Sequence, residues 1–265
     1  MPTGNTRQSL GCLATVAAFA LSLSVALSPR AASAGPEAAP PRQRLGEAFI
    51  WNVRFLGLFD AGRARLAISP VQQAGATSQV HVVGEVEATG LIRALLGLHA
   101  DYRVILDGKT LLPRRMDIEE TGYRTRTLNV TVDGRRIEQY ARKPGAEVRW
   151  QGALPSEPLE PVAVILLLRA ARLAIGDKLE LVAMDGTDLY QGSIEVVGRE
   201  ILQAAMGAQS AIRLLCRGER INHNGQKLQR PPRQATLWVS DDTYRLPLRV
   251  EAQTAYGTGQ FELQS

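Results

Sequence analysis

The sequence predicts a mainly β protein, with an antiparallel, strongly curved sheet or barrel-like fold and one principal α-helix at about residues 160–175. Three observations lead to this prediction. Apolar residues alternate with polar ones over most of the chain, Asp-Gly and Asn-Gly dipeptides punctuate the alternation, and a single long segment is apolar at nearly every position.

The alternation begins in the segment that follows Leu45. One face of the first predicted strand carries Phe49, Trp51, Val53 and Phe55, while Ile50, Asn52 and Arg54 occupy the other face. Residues 64–68 and 80–86 show the same period of two. Because successive side chains of a strand point to opposite faces, this pattern indicates strands that are buried on one side only.

Turn dipeptides lie between the predicted strands. Asn and Gly tolerate the positive φ angles of tight hairpin turns, and Asp-Gly serves the same purpose. At this spacing we expect about ten to thirteen strands in one antiparallel system. The dipeptides are Asp107-Gly108, Asp133-Gly134, Asp185-Gly186 and Asn224-Gly225.

The principal helix is predicted in EPVAVILLLRAARLAI, which spans Glu160 to Ile175. Pro161 suits the first helical position, and Gly176 can end the helix. The segment is apolar nearly all round, so we expect it to be buried on several sides, against the concave face of the sheet. Residues 90–100 are compatible with either a short helix or a turn.

The N-terminal segment has the three parts of a secretory signal. Arg7 is the positive charge, Leu10 to Leu27 is the apolar stretch, and Ala32-Ser33-Ala34 offers a cleavage site. We therefore predict a signal peptide at 1–34, a disordered leader at 35–44 and a single β-rich domain at 45–265. An uncleaved membrane anchor is the alternative, since the apolar stretch approaches the ~20 residues that span a bilayer. After cleavage near Ala34 we expect an exported, periplasmic or envelope-associated protein without a transmembrane segment.

Charge and cysteine content exclude some classes of function. The predicted mature chain keeps 29 of the 31 basic residues, because Arg7 and Arg30 are removed, against 26 acidic ones. This balance of +3, without a basic run, does not predict a nucleic-acid partner. Only Cys216 remains after cleavage, so no intramolecular disulfide can form, and its apolar neighbours favour a small buried side chain over a nucleophile.

Candidate catalytic residues are few. His81, His99 and His223 are isolated from one another and fit no zinc-binding spacing, so we expect no metal and no cofactor. The adjacent Asp241 and Asp242 could serve a hydrolase or lyase, but neighbouring residues of a strand point to opposite faces. A structural turn, in which the Asp side chains accept from backbone amides, is the favoured interpretation.

Apolar residues are the candidates for ligand binding. Phe49, Trp51 and Phe55, together with Leu166 of the predicted helix, could line a cavity inside the curved sheet. Ordinary core packing is the favoured interpretation of the aromatic stripe. Which one applies depends on how completely the interior is filled.

Three segments share one resemblance: LGEAFIWNVRFLGLFDAGRARL at 45–66, LLLRAARLAIGDKLEL at 166–181 and LWVSDDTYRLPLRVE at 237–251. In the last segment the resembling residues are Ser240, Asp241, Asp242, Arg245 and Pro247. The three segments resemble the exported bacterial proteins of the family called domain of unknown function 3108. The helix start Glu160-Pro161-Val162 departs from the more polar start expected of the family. The resemblance implies export and a β-rich fold, and it implies no activity.

We therefore expect a non-enzymatic envelope protein that binds an apolar or amphipathic ligand, such as a lipid, within a curved β domain. A structural or assembly module that docks on another envelope protein is the alternative. A hydrolase or lyase that uses Asp241 or Asp242 is the third hypothesis.

Overall fold

The computed structural model describes residues 46–57, 59–71, 78–122, 125–254 and 257–264. The predicted signal peptide and leader lie outside these ranges. Within them the chain forms fourteen strands and two short helices, α1 (Gly90–Leu96) and α2 (Pro161–Ala170). The strands are β1 (Glu47–Phe55), β2 (Phe59–Val71), β3 (Gln79–Ala88), β4 (His99–Asp107), β5 (Pro113–Thr121), β6 (Arg126–Asp133), β7 (Arg136–Lys143), β8 (Ala146–Ala153), β9 (Lys178–Asp185), β10 (Asp188–Ala204), β11 (Gly207–Ile221), β12 (Arg233–Ser240), β13 (Pro247–Thr254) and β14 (Gly257–Leu263).

All fourteen strands belong to one antiparallel sheet. β1 to β8 pair in sequence order, β9 to β14 do the same, and the pairing of β1 with β14 joins the two halves. β8 and β9 are therefore the two edges of the sheet. The predicted fold class, mainly β with one principal helix in a curved antiparallel sheet, is confirmed.

The two halves of the sheet meet through side chains. The Trp150 ring of β8 stacks on His223, in the β11–β12 loop, with ring centroids 3.8 Å apart. The Nε2 atom of Gln139, on β7, lies 3.9 Å from the Sδ atom of Met184, on β9. The sheet thus curls far enough for its distant strands to touch, and these contacts bring both halves around one interior.

Helix α2 lies in this interior, and seven of its ten residues are buried. Its N-cap is Glu160, whose carboxylate accepts hydrogen bonds from the backbone N–H groups of Val162 and Ala163 at 2.8 and 3.1 Å. Pro161 occupies the first helical position, as predicted. The helix ends at Ala170, because the backbone of Ala171 is already extended, so it is shorter than the sequence pattern predicts.

The sheet has two ends, which we name after the two termini of β1. The Glu47 end is where β1 begins and α2 finishes, since Arg169 of α2 contacts Glu47. The Phe55 end is where β1 turns into β2 and where α1 connects β3 to β4. One hydrophobic cluster runs from the strands of both halves to α2, and a smaller cluster lies beneath α1.

Candidate functional site

An apolar pocket lies at the Phe55 end, between β1, β2 and β3 and under α1. Val53 and Phe55 of β1 form one wall, and Val86 and Ala88 of β3 form another. Ile92 belongs to α1, which covers the pocket. The cavity has a volume of about 30 Å³, enough for about two water molecules. Apart from Arg54 and Glu87 the lining is apolar, and the cavity as it stands is too small for a lipid chain.

Small residues and a register shift build this pocket. The β1–β2 pairing shifts between Val53 and Arg54, because Ala61 is an extra, bulged residue that bends the start of β2. Gly62 of β2 lies so close to β3 that an added Cβ would collide with the carbonyl oxygen of Glu87. β2 and β3 therefore approach closely where Gly62 has no side chain. The volume that a side chain would fill stays empty beneath α1.

Helix α1 is held at both ends by backbone contacts. The N–H groups of Ala88 and Thr89, just before the helix, donate to the carbonyl oxygens of Leu98 and Ala61 at 2.9 and 3.0 Å. Gly97 ends the helix in the left-handed conformation, with φ of 56°. Thr89 supplies no side-chain cap. A seven-residue helix without a side-chain cap is a segment of low local stability, which suits a movable cover.

The four residues predicted to bind a ligand divide into two groups. Phe55 lines the pocket and is partly buried. Phe49, Trp51 and Leu166 are each about 95% buried and belong to the main hydrophobic cluster. The Nε1–H group of Trp51 donates to the carbonyl oxygen of Pro247 at 3.1 Å, which fixes the indole in place. Phe49, Trp51 and Phe55 form an apolar stripe along β1, and Leu166 belongs to α2. The role of these four residues in ligand binding stays a prediction.

A buried polar cluster surrounds the start of α2. Glu160 is fully buried, and in addition to the two backbone donors its carboxylate accepts a hydrogen bond from the Tyr102 hydroxyl. Burial raises the pKa of Glu160 to about 7, and nearby Asp185 acts in the same direction, while the three donors oppose them. Burial and the Glu160 charge likewise raise the pKa of Tyr102 well above its usual value.

An ion pair lies near this cluster, since Asp185 acts on the pKa of both Arg126 and Glu160. Arg126 donates two hydrogen bonds to Glu120, both at 2.7 Å, and both side chains are more than 90% buried. Residue spacing did not predict these buried polar groups. The available signal was the Glu-Pro start of α2, because a negative charge is favourable at a helix N-terminus and proline suits the first helical position.

The Ser240-Asp241-Asp242 segment forms a braced turn between β12 and β13. The Asp242 carboxylate accepts hydrogen bonds from the Ser240 hydroxyl and from the backbone N–H groups of Tyr244 and Arg245, at 2.7 to 3.0 Å. Asp241 accepts from Arg199 at 2.8 Å and from Arg245 at 3.0 Å. Both carboxylates thus have structural partners in a turn.

The remaining residues of this signature also have structural roles. Arg245 has a φ of 50°, a left-handed conformation that the surrounding hydrogen bonds hold in place. Pro247 lies where the β12–β13 register shifts, as its missing N–H requires. These residues therefore shape the Glu47 end of the sheet.

The histidines lie apart from this turn. His81 bonds to Gln79, His99 lies beside Asp101 and Glu85, and His223 stacks on Trp150. In the described parts of the chain, no group of three or more His, Cys, Asp or Glu side chains could hold a metal ion. Cys216 is a free thiol, and burial raises its pKa to about 12.

The fold and the pocket define a class of protein: a curved antiparallel β domain with an internal helix and an apolar recess at one end. Within this class, the chain belongs to the family described as "Protein of unknown function (DUF3108)", which matches it over residues 51–264. This membership confirms the resemblance noted in the sequence.

The solved structures that the chain matches share little sequence with it. A β-barrel-like protein of the domain of unknown function DUF1849 from Brucella abortus is 8% identical, with a TM-score of 0.45, and the match covers 83% of this chain and 95% of that one. The lipoprotein LppX from Mycobacterium tuberculosis is 16% identical, with a TM-score of 0.23, and the match covers 72% of this chain and 86% of that one.

No curated protein matches the chain significantly. Across the described ranges, neither helix combines the length and the apolar character that crossing a bilayer demands.

Proposed function

We propose that this is an exported protein of the cell envelope that binds the hydrocarbon part of an apolar or amphipathic ligand, such as a lipid, in the pocket under α1. The signal-like residues 1–34 support export, and a leader at 35–44 followed by one β-rich domain is part of the same proposal. The observation that carries the binding role is the apolar recess at the Phe55 end.

Ligand entry requires α1 to swing away from the strands beneath it. The cavity of about 30 Å³ lies far below the ~300–1,000 Å³ of small-molecule sites. Displacing α1 uncovers Ile92 and Leu98, and it opens the apolar stripe that Phe55 begins. A hydrocarbon chain then packs against Val53 and Val86 in the place of α1. The contacts of these two residues with the ligand thus replace their contacts with the helix.

Binding is tested with cis-parinaric acid, a fluorescent fatty acid, and with mass spectrometry of organic extracts of protein purified from its native envelope. The informative variant is Ala88→Phe, which fills the pocket, because Ala88 is buried in its wall. Val83→Phe is the matched control on the same strand, since Val83 is 53% exposed on the other face.

We expect Ala88→Phe to weaken parinaric acid binding at least about tenfold and Val83→Phe to leave it unchanged. Urea unfolding of both variants checks that each is folded. Equal binding by wild type and folded Ala88→Phe, or no bound lipid and no parinaric acid binding by wild type, would contradict the proposal.

Docking on another envelope protein is the second candidate, and one observation favours it. In the described chain, no strand pairs with the outer edge of β8, so an extended segment of a partner could add to the sheet there. Glu147 and Arg149 place charges on β8, however, which is how natural edge strands discourage pairing. The ligand role is therefore the leading proposal. Cross-linking from Gln151, in envelope preparations, would reveal a partner at this edge.

A further inference from the structure

The turn between β1 and β2 departs from two rules of stable hairpins. Leu56 has a φ of 55°, a left-handed conformation that turns usually assign to Gly, Asn or Asp. Leu56 and Phe59 are also 47% and 58% exposed, although both are large apolar residues. Leucine is unfavourable in the left-handed conformation, and an exposed leucine adds no stability to the isolated molecule. Such departures from the usual rules are expected at functional sites.

Leu56 is held in position by β14. The N–H group of Leu56 donates to the carbonyl oxygen of Thr258 at 2.8 Å, which anchors the turn to β14. The Leu56 side chain rests against Gly257, where an added Cβ would collide with it. The turn therefore presents Leu56 on a fixed support.

The turn also borders the pocket. Phe59 pairs with Phe55 across the hairpin, and directly paired residues share a face of the sheet. Phe55 lines the pocket, so Phe59 lies on the same face of the sheet, next to a lining residue. A hydrocarbon chain that enters the pocket would pass the turn first.

The size and charge of this surface point to a lipid bilayer as its partner. Two exposed side chains fall far short of the ~800 Å² per partner that a specific protein interface buries. Apolar side chains at the boundary of head groups and acyl chains are, in contrast, sufficient for reversible attachment. The nearby cations are balanced, since Arg54 pairs with Asp60 and Arg93 with Glu87, each at 3.5 Å. Attachment should therefore be apolar and not electrostatic.

We propose that the β1–β2 turn inserts Leu56 and Phe59 into the surface of a lipid bilayer and so presents the pocket to lipid. The purpose of this insertion rests on the proposed function, in which the pocket binds the lipid. The insertion itself is a separate property of the turn and is measured separately.

The test is flotation of the purified protein with vesicles of phosphatidylcholine, alone or mixed with phosphatidylglycerol. The informative variants are Leu56→Asn and Phe59→Ser, alone and combined. Asn tolerates the left-handed conformation, so Leu56→Asn should remain at least as stable as the wild type. Ile201→Ser is the control, because Ile201 is 65% exposed and lies on β10, away from this turn.

We expect the double variant to lose vesicle binding at least about tenfold while Ile201→Ser binds as the wild type does. Binding should be equal for the two lipid mixtures and unaffected by high salt. Vesicle binding that is unchanged in the double variant, that falls equally in Ile201→Ser, or that is absent in wild type would overturn the inference.

Parinaric acid binding, measured without vesicles, keeps the two proposals apart. Turn-dependent vesicle binding without parinaric acid binding would leave the inference standing and the proposed function refuted. Parinaric acid binding without vesicle binding would refute the inference alone.

Discussion

Arg169, at the end of the buried helix α2, donates two hydrogen bonds to the carboxylate of Glu47, at the start of β1, at 2.5 and 3.0 Å. The same guanidinium lies over the Phe49 ring, 5.4 Å from its centroid, and donates to the carbonyl oxygen of Tyr244 at 3.0 Å. One arginine thus fastens the helix, the first strand and the turn that contains Asp242. These are the three segments that carry the family resemblance, so we infer that the resemblance reflects this junction.

Replacing Arg169 with Met should destabilise the fold by about 2–4 kcal/mol, because Glu47 would keep a largely buried charge without its partner. Arg172→Met is the matched control, since Arg172 is exposed just beyond the same helix. Urea unfolding followed by tryptophan fluorescence measures both. A loss below about 0.5 kcal/mol for Arg169→Met would show that the junction adds little to stability.

Local patterns in the sequence predicted most of this architecture. Alternation placed Phe49 and Trp51 on the buried face, and Asp133-Gly134 and Asp185-Gly186 each lie at a tight hairpin. These features were predictable because the strand period and the φ preferences of glycine act over a few residues.

Contacts between residues that are distant in sequence could not be predicted from local patterns. Glu47 and Arg169 are 122 positions apart, and Tyr102 reaches Glu160 across 58. Nothing in residue spacing specifies which distant charges a curved sheet brings together. The length of α2 was overestimated for a related reason: its apolar pattern continues to Ile175, whereas the helix finishes where Arg169 reaches Glu47.

Removal of the Asp242 carboxylate should loosen the β12–β13 turn. Asp242→Ala deletes the acceptor of three hydrogen bonds, and we expect a loss of about 1–2 kcal/mol. Asp242→Asn keeps one acceptor oxygen and should cost less. Asp60→Asn is the control, since Asp60 is 80% exposed.

The free energy of unfolding that Asp242 contributes should decrease in acid. Burial acts to raise the pKa of Asp242, but the Ser240 hydroxyl and the two backbone donors outweigh it, so the pKa is lowered from its ordinary 3.8. The native state then binds the proton less readily than the unfolded state. The contribution of Asp242 is therefore complete above pH 3.8 and is lost as the pH falls below it. An Asp242→Asn difference that stays constant in acid would contradict this account.

The contact of Trp150 with His223 should couple the edge strand β8 to the β11–β12 loop. The rings are stacked, at an interplanar angle of 13°, and such pairs contribute about 0.5–1.5 kcal/mol beyond their buried area. A double-mutant cycle with Trp150→Ala and His223→Ala should return a coupling energy in that range. Additive losses would mean that the loop and β8 are held together by other contacts, such as that of Pro155 near Gly225.

Glu160 should make the protein less stable as the pH rises, which is the reverse of the usual behaviour of a carboxyl group. Its pKa is about 7 in the folded protein against an ordinary 4.5, so between these values the native state binds more protons than the unfolded state. Its contribution to stability is complete below pH 4.5 and is lost as the pH rises through about 7. The full difference is on the order of 3 kcal/mol.

Glu160→Gln separates the effect of the buried charge from the effect of the N-cap hydrogen bonds. The Gln side chain keeps an oxygen that can accept from Val162, Ala163 or Tyr102, but it carries no charge to desolvate. Relative to wild type, we expect the variant to gain stability steadily between about pH 5 and pH 8. Urea unfolding across that range measures the difference. A difference that does not change with pH would mean that the Glu160 carboxyl group titrates near its ordinary value, and that the buried cap is charged throughout.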